Sequence, residues 1–244
     1  MFEKLANSTY RIVCGHSSGS GFSYRLENII ITNCHVIENT FITKQEIYAI
    51  TEDNIRFLTK LIAYSSKEEY DFAILEIQSS LPKNRNILQP NLELELKRGI
   101  KAVFSGFPHG IPDLLIHEAI ISNVQNSKSF YLDGSINGGN SGGPIIDSLS
   151  GKVIGIVTQR RFLSPNNYSS AKENVKNIQK QCKSFIDKGG NVYINGLDIS
   201  RVVGLISESL SITSSVLDSN ANVGIGIGFR IIFVENKLKE LGLI

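Results

Sequence analysis

Through the first 160 positions, short runs rich in Ile, Val, Phe and Tyr recur about every ten residues, each bounded by Gly, Asn, Ser or Pro. This rhythm constrains the fold more than any other feature of the chain. The runs are too short for amphipathic helices, and β-branched and aromatic side chains suit a pleated, half-buried surface. No helical stretch separates them, so successive strands have no crossover helices and must pair antiparallel, in barrels or sandwiches. The expected strands of a first half are Tyr10–Val13, Gly21–Tyr24, Ile29–Thr32, Glu46–Ile50, Lys60–Ser65 and Phe72–Ile77. The segment PKNRNILQP, Pro82 to Pro90, breaks the pattern and reads as a connector. Ala102–Phe107, Ile116–Val124, Ser129–Leu132, Pro144–Asp147 and Val153–Thr158 follow as a second half.

After Arg161 the texture changes. Val175, Ile178, Cys182, Phe185 and Ile186 fall at helical spacing between Ala171 and Lys188, and Ile199, Val203, Ile206 and Leu210 form a second stripe. The Gly-rich run ANVGIGIGFRIIFV then returns to strand, and Val234–Leu241 reads as a short helix ended by Gly242. The chain's 244 residues suffice to bury a core of its own.

Composition excludes several classes. With 25 basic and 23 acidic side chains there is no concentrated positive face for nucleic acid, and the lysines between Lys172 and Lys188 read as the wet side of a helix. No stretch reaches the ~18 to 20 apolar residues that span a bilayer, so no membrane association is expected. Glu3, Lys4 and Asn7 stand where a secretory signal would be apolar, which makes a cytoplasmic location the expectation. Three cysteines, an odd count, argue against a disulfide framework.

Chemistry concentrates in INGGNSGGPIID, residues 136 to 147. Gly139 and the pair Gly142–Gly143 bracket Ser141, so the backbone can take conformations that side chains obstruct. The hydroxyl is left prominent, and neighbouring amides are free to converge on one point. Two such amides make an oxyanion hole, each donor being worth roughly 3–4 kcal/mol of barrier. The same pattern also suits a tight hairpin.

A serine hydroxyl needs a base to take its proton. Of the histidines His16, His35, His109 and His117, His35 in ITNCHVIE ends an apolar strand, where a rigid element would hold the ring. His109, in a Pro-His-Gly-Ile-Pro loop, reads as a surface turn residue. The base in turn needs a carboxylate to orient it. Asp71 opens the buried run DFAILEI and abuts it, unlike Glu68 and Glu69. Cys14, His16, Cys34 and His35 invite a zinc reading, but their spacing fits no common pattern and no metal is expected.

GSGFSYRLENIIITNCHVIE, DFAILEI and INGGNSGGPIID followed by GKVIGIVT resemble the three blocks of the trypsin-like, chymotrypsin-fold serine proteases, most of all the HtrA/Deg branch. NVGIGIGFRI resembles the HtrA strand that walls the specificity pocket. The likeness covers about residues 10–160 and 221–242. It implies an all-β fold: two six-stranded antiparallel barrels, with an inserted helical pair and a C-terminal helix. Residues 1–85 would form the first barrel, carrying His35 and Asp71. Residues 86–244 would form the second, carrying Ser141 and an insertion at about 162–220. By the same resemblance His35 is general base then acid, Asp71 holds its tautomer, and Ser141 attacks the scissile carbonyl. The amides of Gly139 and Ser141 would form the oxyanion hole, and no cofactor is implied. Ser135 would lie at the floor of the primary pocket, with Ile136 and Ile227 as apolar walls. Thr158, Gln159 and Arg160 would pair with the backbone of a protein or peptide substrate. Cleavage is therefore expected after small or medium aliphatic residues.

The sequence also departs from the family pattern. Asn140 replaces the aspartate of digestive members, so activation by N-terminal processing is not expected. Gly138 stands where HtrA-like enzymes usually place a proline, and a Gly138–Gly139 pair has more freedom to lose. The oxyanion loop is thus expected to be partly disordered at rest. The chain ends at Ile244, so no peptide-binding PDZ module is expected, and the 162–220 insertion is the candidate docking surface for a regulatory protein. A catalytically silent peptide-binding scaffold of the same fold is the alternative reading.

Overall fold

A strand buried on both faces needs apolar residues at every position, whereas a strand with one wet face alternates. The computed structural model, which describes residues 1–79, 85–162, 168–188, 192–220 and 222–244, contains both kinds. After a short helix α1 (Phe2–Ala6) come β1 (Thr9–Cys14), β2 (Ser17–Ser23) and β3 (Ile29–Thr32). A 3-10 turn over His35–Ile37 runs into α2 (Glu38–Thr43), followed by β4 (Ile47–Ile50), β5 (Arg56–Ser65) and β6 (Phe72–Ile77). These strands close into an antiparallel barrel in the order β1-β2-β3-β6-β5-β4.

The second barrel uses β7 (Lys101–Gly106), β8 (Leu115–Val124), β9 (Ser129–Asp133), β10 (Pro144–Asp147) and β11 (Val153–Phe162). Next come α3 (Tyr168–Asp187), the two-residue strands β12 (Tyr193–Ile194) and β13 (Leu197–Asp198), and α4 (Ile199–Asn220). The last strand, β14 (Asn222–Arg230), completes the barrel in the order β10-β11-β14-β9-β8-β7, and α5 (Ile232–Glu240) follows. The expected double six-stranded all-β architecture is the observed one.

Both faces of β3 and β6 are buried because each strand has two cores to fill. Ile30, Ala73, Leu75 and Ile77 point into the first barrel with Tyr10, Ile12 and Phe57. Ile29, Ile31, Phe72 and Ile74 point outward and pack with Val103, Ile146, Val153 and Ile156 of the second barrel. The apolar residues of IIIT and FAILEI are thus the seam that fixes one barrel against the other.

The chain divides into two compact units, residues 1–161 with 224–244, and residues 162–223. In the second unit α3 packs on α4, and none of its described residues is buried. Phe185, Tyr193, Ile194, Leu205 and Ile212 are all exposed. The turn between β12 and β13 is Asn195–Gly196, both at positive φ, as a two-residue type I′ hairpin requires. That Asn-Gly pair is a hairpin signal absent from the sequence expectations. Two other short elements, α1 and α2, were likewise not anticipated.

The terminal helix is tied to the first barrel by a buried charge. Arg25 donates to both oxygens of Glu235 at 2.8 Å, and Tyr24 Oη donates to Glu235 Oε1 at 2.6 Å. Burial pushes the Glu235 carboxyl up, but the hydrogen bonds from Arg25 and Tyr24 outweigh it, and the group ends below its ordinary value of 4.5. Arg25 is 31% exposed, so the cost of losing this pair falls toward the lower end of the range for buried ion pairs. Glu235→Gln is expected to lower the unfolding free energy by about 2–3 kcal/mol in urea denaturation. A depressed carboxyl pKa stabilises above its unfolded value and loses that contribution as pH falls through the folded one. The gap between wild type and variant should therefore be level near neutrality and narrow on acidification below 4.5.

Candidate active site

A carboxylate removed from water must be met by donors, because an unpaired buried charge costs several kcal/mol. Asp71 is fully buried at the loop that opens β6, and three donors meet it. His35 Nδ1 lies 2.7 Å from its Oδ2, the His35 backbone N–H donates to Oδ1 at 3.1 Å, and Thr158 Oγ1 donates to Oδ2 at 2.6 Å. Asn33 Nδ2 also donates to the Asp71 carbonyl at 2.6 Å. Asp71 itself sits at φ +45°, a left-handed conformation that costs on the order of 1–3 kcal/mol for most residues but that Asp tolerates better than most. The two contacts with His35 fix that ring from both its backbone and its Nδ1 edge.

His35 does not end a strand, as its apolar neighbours suggested. β3 stops at Thr32, and His35 begins the 3-10 turn, so its backbone N–H is free to reach Asp71. The adjacent Cys34 is buried, and its thiol is pushed up to about 11 by that burial and by the charge of Asp71. It is a protonated filler.

Ser141 lies on the glycine-rich turn before β10. Its Oγ donates to the carbonyl of Thr158 at 3.1 Å, and among the described residues no hydrogen bond joins it to His35. Thr158 thus links Ser141 through its carbonyl to Asp71 through its hydroxyl. Its side chain is buried, and in this structure the carbonyl expected to receive substrate backbone is held by Ser141.

The loop around Ser141, which carries the adjacent pair Gly138–Gly139, is bonded along its length. Every carbonyl from 137 to 141 accepts a hydrogen bond: in turn from Asn140 N, His109 N, Ser20 Oγ, Gly143 N and Ser20 N. The amides of Gly139 and Ser141 donate to nothing among the described residues. Gly139 holds φ +94°, and a Cβ there would come within 2.2 Å of the Phe107 carbonyl. Gly138 is covered by the His109 ring, whose Nδ1 would lie 3.1 Å from an added Cβ. A bare backbone at Gly138 lets the imidazole close over the loop. His109, read from sequence as a surface turn residue, also places Nε2 3.1 Å from the Ser18 carbonyl.

The specificity residues are only partly gathered. Ile136 is buried among second-barrel core residues, its Cδ1 1.9 Å from where a Cβ on Gly226 would stand. Ile227 is the next residue on β14 and faces the opposite side, so the two do not form facing walls. Ser135 is exposed. Gln159 and Arg160 lie on β11, but their side chains fall outside the described residues.

The family profile for the trypsin-like peptidase domain matches residues 19–156. The chain belongs to the trypsin-like peptidase family. It is 32% identical over 167 residues to Protease Do-like 1, chloroplastic, of Arabidopsis thaliana, covering 63% of this chain and 35% of that protein. To the periplasmic serine endoprotease DegP of Salmonella typhimurium it is 28% identical over 186 residues, 70% of this chain and 37% of that one. The chain thus spans about a third of the length of these two curated relatives. Among solved structures it is similar to Deg5, with TM-score 0.52 and 25% identity over 65% of this chain and 82% of that one.

Membership of this family makes peptide hydrolysis the readout for the network around Asp71. Thr158→Val removes one donor to a buried carboxylate, a bond worth about 1.5 kcal/mol or more. It is expected to lower kcat/KM on a peptide substrate about tenfold, measured by fluorogenic hydrolysis, with the folded fraction unchanged at 25 °C.

Proposed function

We propose that this chain is a serine endopeptidase that cleaves peptide bonds through an acyl-enzyme, using Ser141, His35 and Asp71. The observation that carries this reading is the double contact of the buried Asp71 carboxylate with His35, which leaves Nε2 as the ring's available edge. A substrate backbone N–H arriving at the Thr158 carbonyl competes with the Ser141 hydroxyl for that acceptor and frees the hydroxyl to turn toward His35. His35 then takes the hydroxyl proton as Ser141 Oγ attacks the scissile carbonyl. The carbonyl oxygen becomes the oxyanion of a tetrahedral intermediate, received by the amides of Gly139 and Ser141. His35 returns the proton to the leaving amine, and water repeats the sequence in reverse on the acyl-serine.

A preference for cleavage after small or medium aliphatic residues belongs to the same proposal. It is supported by the space over Gly226 being occupied by Ile136, and by the absence of charge at Ser135. The regulatory partner expected on 162–220 belongs here too, supported by the exposed apolar side chains of α3, α4 and the hairpin between them.

The resting bond from Ser141 to Thr158 favours a second reading, a catalytically silent peptide-binding scaffold. A fluorophosphonate probe separates the two. Covalent labelling that is lost in Ser141→Ala, and reduced by about four orders of magnitude in Asp71→Asn, is the expected result. An unlabelled, folded wild type would leave the scaffold reading. Profiling with a peptide library should give Ala, Val or Ile before the cut, and dominance of Lys or Arg would contradict the pocket assignment.

A further inference from the structure

A trans peptide unit points its N–H opposite to its C=O, so an amide is aimed by whatever holds the carbonyls around it. In the turn from 138 to 142 two of those carbonyls are held by one residue of the other barrel. Ser20 on β2 is fully buried. Its Oγ donates to the Gly139 carbonyl at 2.7 Å and accepts from the Phe107 N–H at 2.9 Å, while its backbone N–H donates to the Ser141 carbonyl at 2.7 Å. Thr32 Oγ1 in turn donates to the Ser20 carbonyl at 2.6 Å, anchoring Ser20 to β3.

The backbone closes around this serine. A Cβ on Gly106 would stand 2.8 Å from Ser20 Oγ, one on Gly142 2.1 Å from the Ser20 carbonyl, and one on Gly19 2.9 Å from the Ser141 carbonyl. Three glycines from three segments therefore let a single hydroxyl reach two backbone partners at once. The peptides that Ser20 holds, 139–140 and 141–142, flank the peptide whose N–H belongs to Ser141. The first of them also follows directly on the one whose N–H belongs to Gly139.

We propose that Ser20 is a positioning residue of the oxyanion hole: it clamps the turn across the barrel seam so that the Gly139 and Ser141 amides stay aimed at one point. This rests on the proposed serine-peptidase chemistry. Loss of the hydroxyl leaves Ser141, His35 and Asp71 in place but leaves the 139–140 peptide held only by its Asn140 N–H on the Asn137 carbonyl, so its tilt loosens and transition-state binding suffers while ground-state binding does not.

The test compares wild type, Ser20→Ala and Ser20→Cys, each first checked for folding by circular dichroism. Wild-type labelling by a fluorophosphonate at Ser141 reports on the triad independently. In Ser20→Ala, kcat should fall about 30- to 100-fold with KM within about twofold, somewhat less than the loss of a whole oxyanion donor. The inhibition constant of a peptidyl trifluoromethyl ketone, whose adduct needs the oxyanion hole, should rise by a matching factor. Binding of the same peptide to a Ser141→Ala, Ser20→Ala double variant should equal that of Ser141→Ala alone. Should Ser20→Ala not fold, Ser20→Cys, which keeps a weaker donor and acceptor, must give the same split at smaller size. An active wild type with unchanged kcat in a folded Ser20 variant overturns the clamp alone, as does a loss confined to KM. A wild type that is neither labelled nor active overturns both the clamp and the reading it rests on.

Discussion

The arrangement depends on one buried carboxylate. Asp71 has no access to water, and its charge is sustainable only because His35 meets it twice and Thr158 once. Those donors come from different places in the chain, the turn after β3 and the strand β11 of the other barrel. Satisfying the charge therefore also fixes the imidazole and draws β11 toward the first barrel. The left-handed backbone at Asp71 is the local cost, and it is met by a residue type that tolerates it.

The second constraint is close approach of backbone to backbone. Gly139, Gly142 and Gly143 stand where a Cβ would lie 2.1 to 2.2 Å from a carbonyl oxygen, of Phe107, Ser20 and Ser105 respectively. The turn bearing Ser141 is pressed against β7 on one side and β2 on the other. The Gly139 and Ser141 carbonyls are taken up by Ser20 and the Gly138 carbonyl by the His109 N–H, while among the described residues the Gly139 and Ser141 amides donate to nothing. The same apolar seam of β3 and β6 that joins the barrels holds both sides of this contact in register.

Most of the fold was legible because both barrel strands and the interbarrel seam obey simple patterns. The run FAIL, Phe72 to Leu75, leaves no wet face, and INGGNSGGPIID cannot be a regular strand. Less was legible where function depends on which backbone group faces which. The strand Ile29–Thr32 is as expected, but His35 lies beyond its end in a 3-10 turn, and α2 is too short to announce a period. The Ser/Gly run before Gly21 carries no strand signal, although Ser17–Ser20 are the first four residues of β2. Nothing in the order of residues tells that the serine between Gly19 and Gly21 will meet the turn around Ser141, 121 positions on. A serine flanked by two glycines is the only local hint. Ile136 and Ile227 show the same limit, since motif positions do not say that Ile136 will pack over Gly226 of β14 while Ile227 faces the other side of that strand.

The most direct test is the crystal structure of the protein treated with an aliphatic peptide boronate. The expected adduct has a covalent bond from boron to Ser141 Oγ, with His35 still bonded to Asp71 through Nδ1. One boronate oxygen should lie within hydrogen-bonding distance of both the Gly139 and Ser141 amides. A Ser141 hydroxyl still on the Thr158 carbonyl at saturating inhibitor, or a His35 ring parted from Asp71 in the adduct, would contradict it.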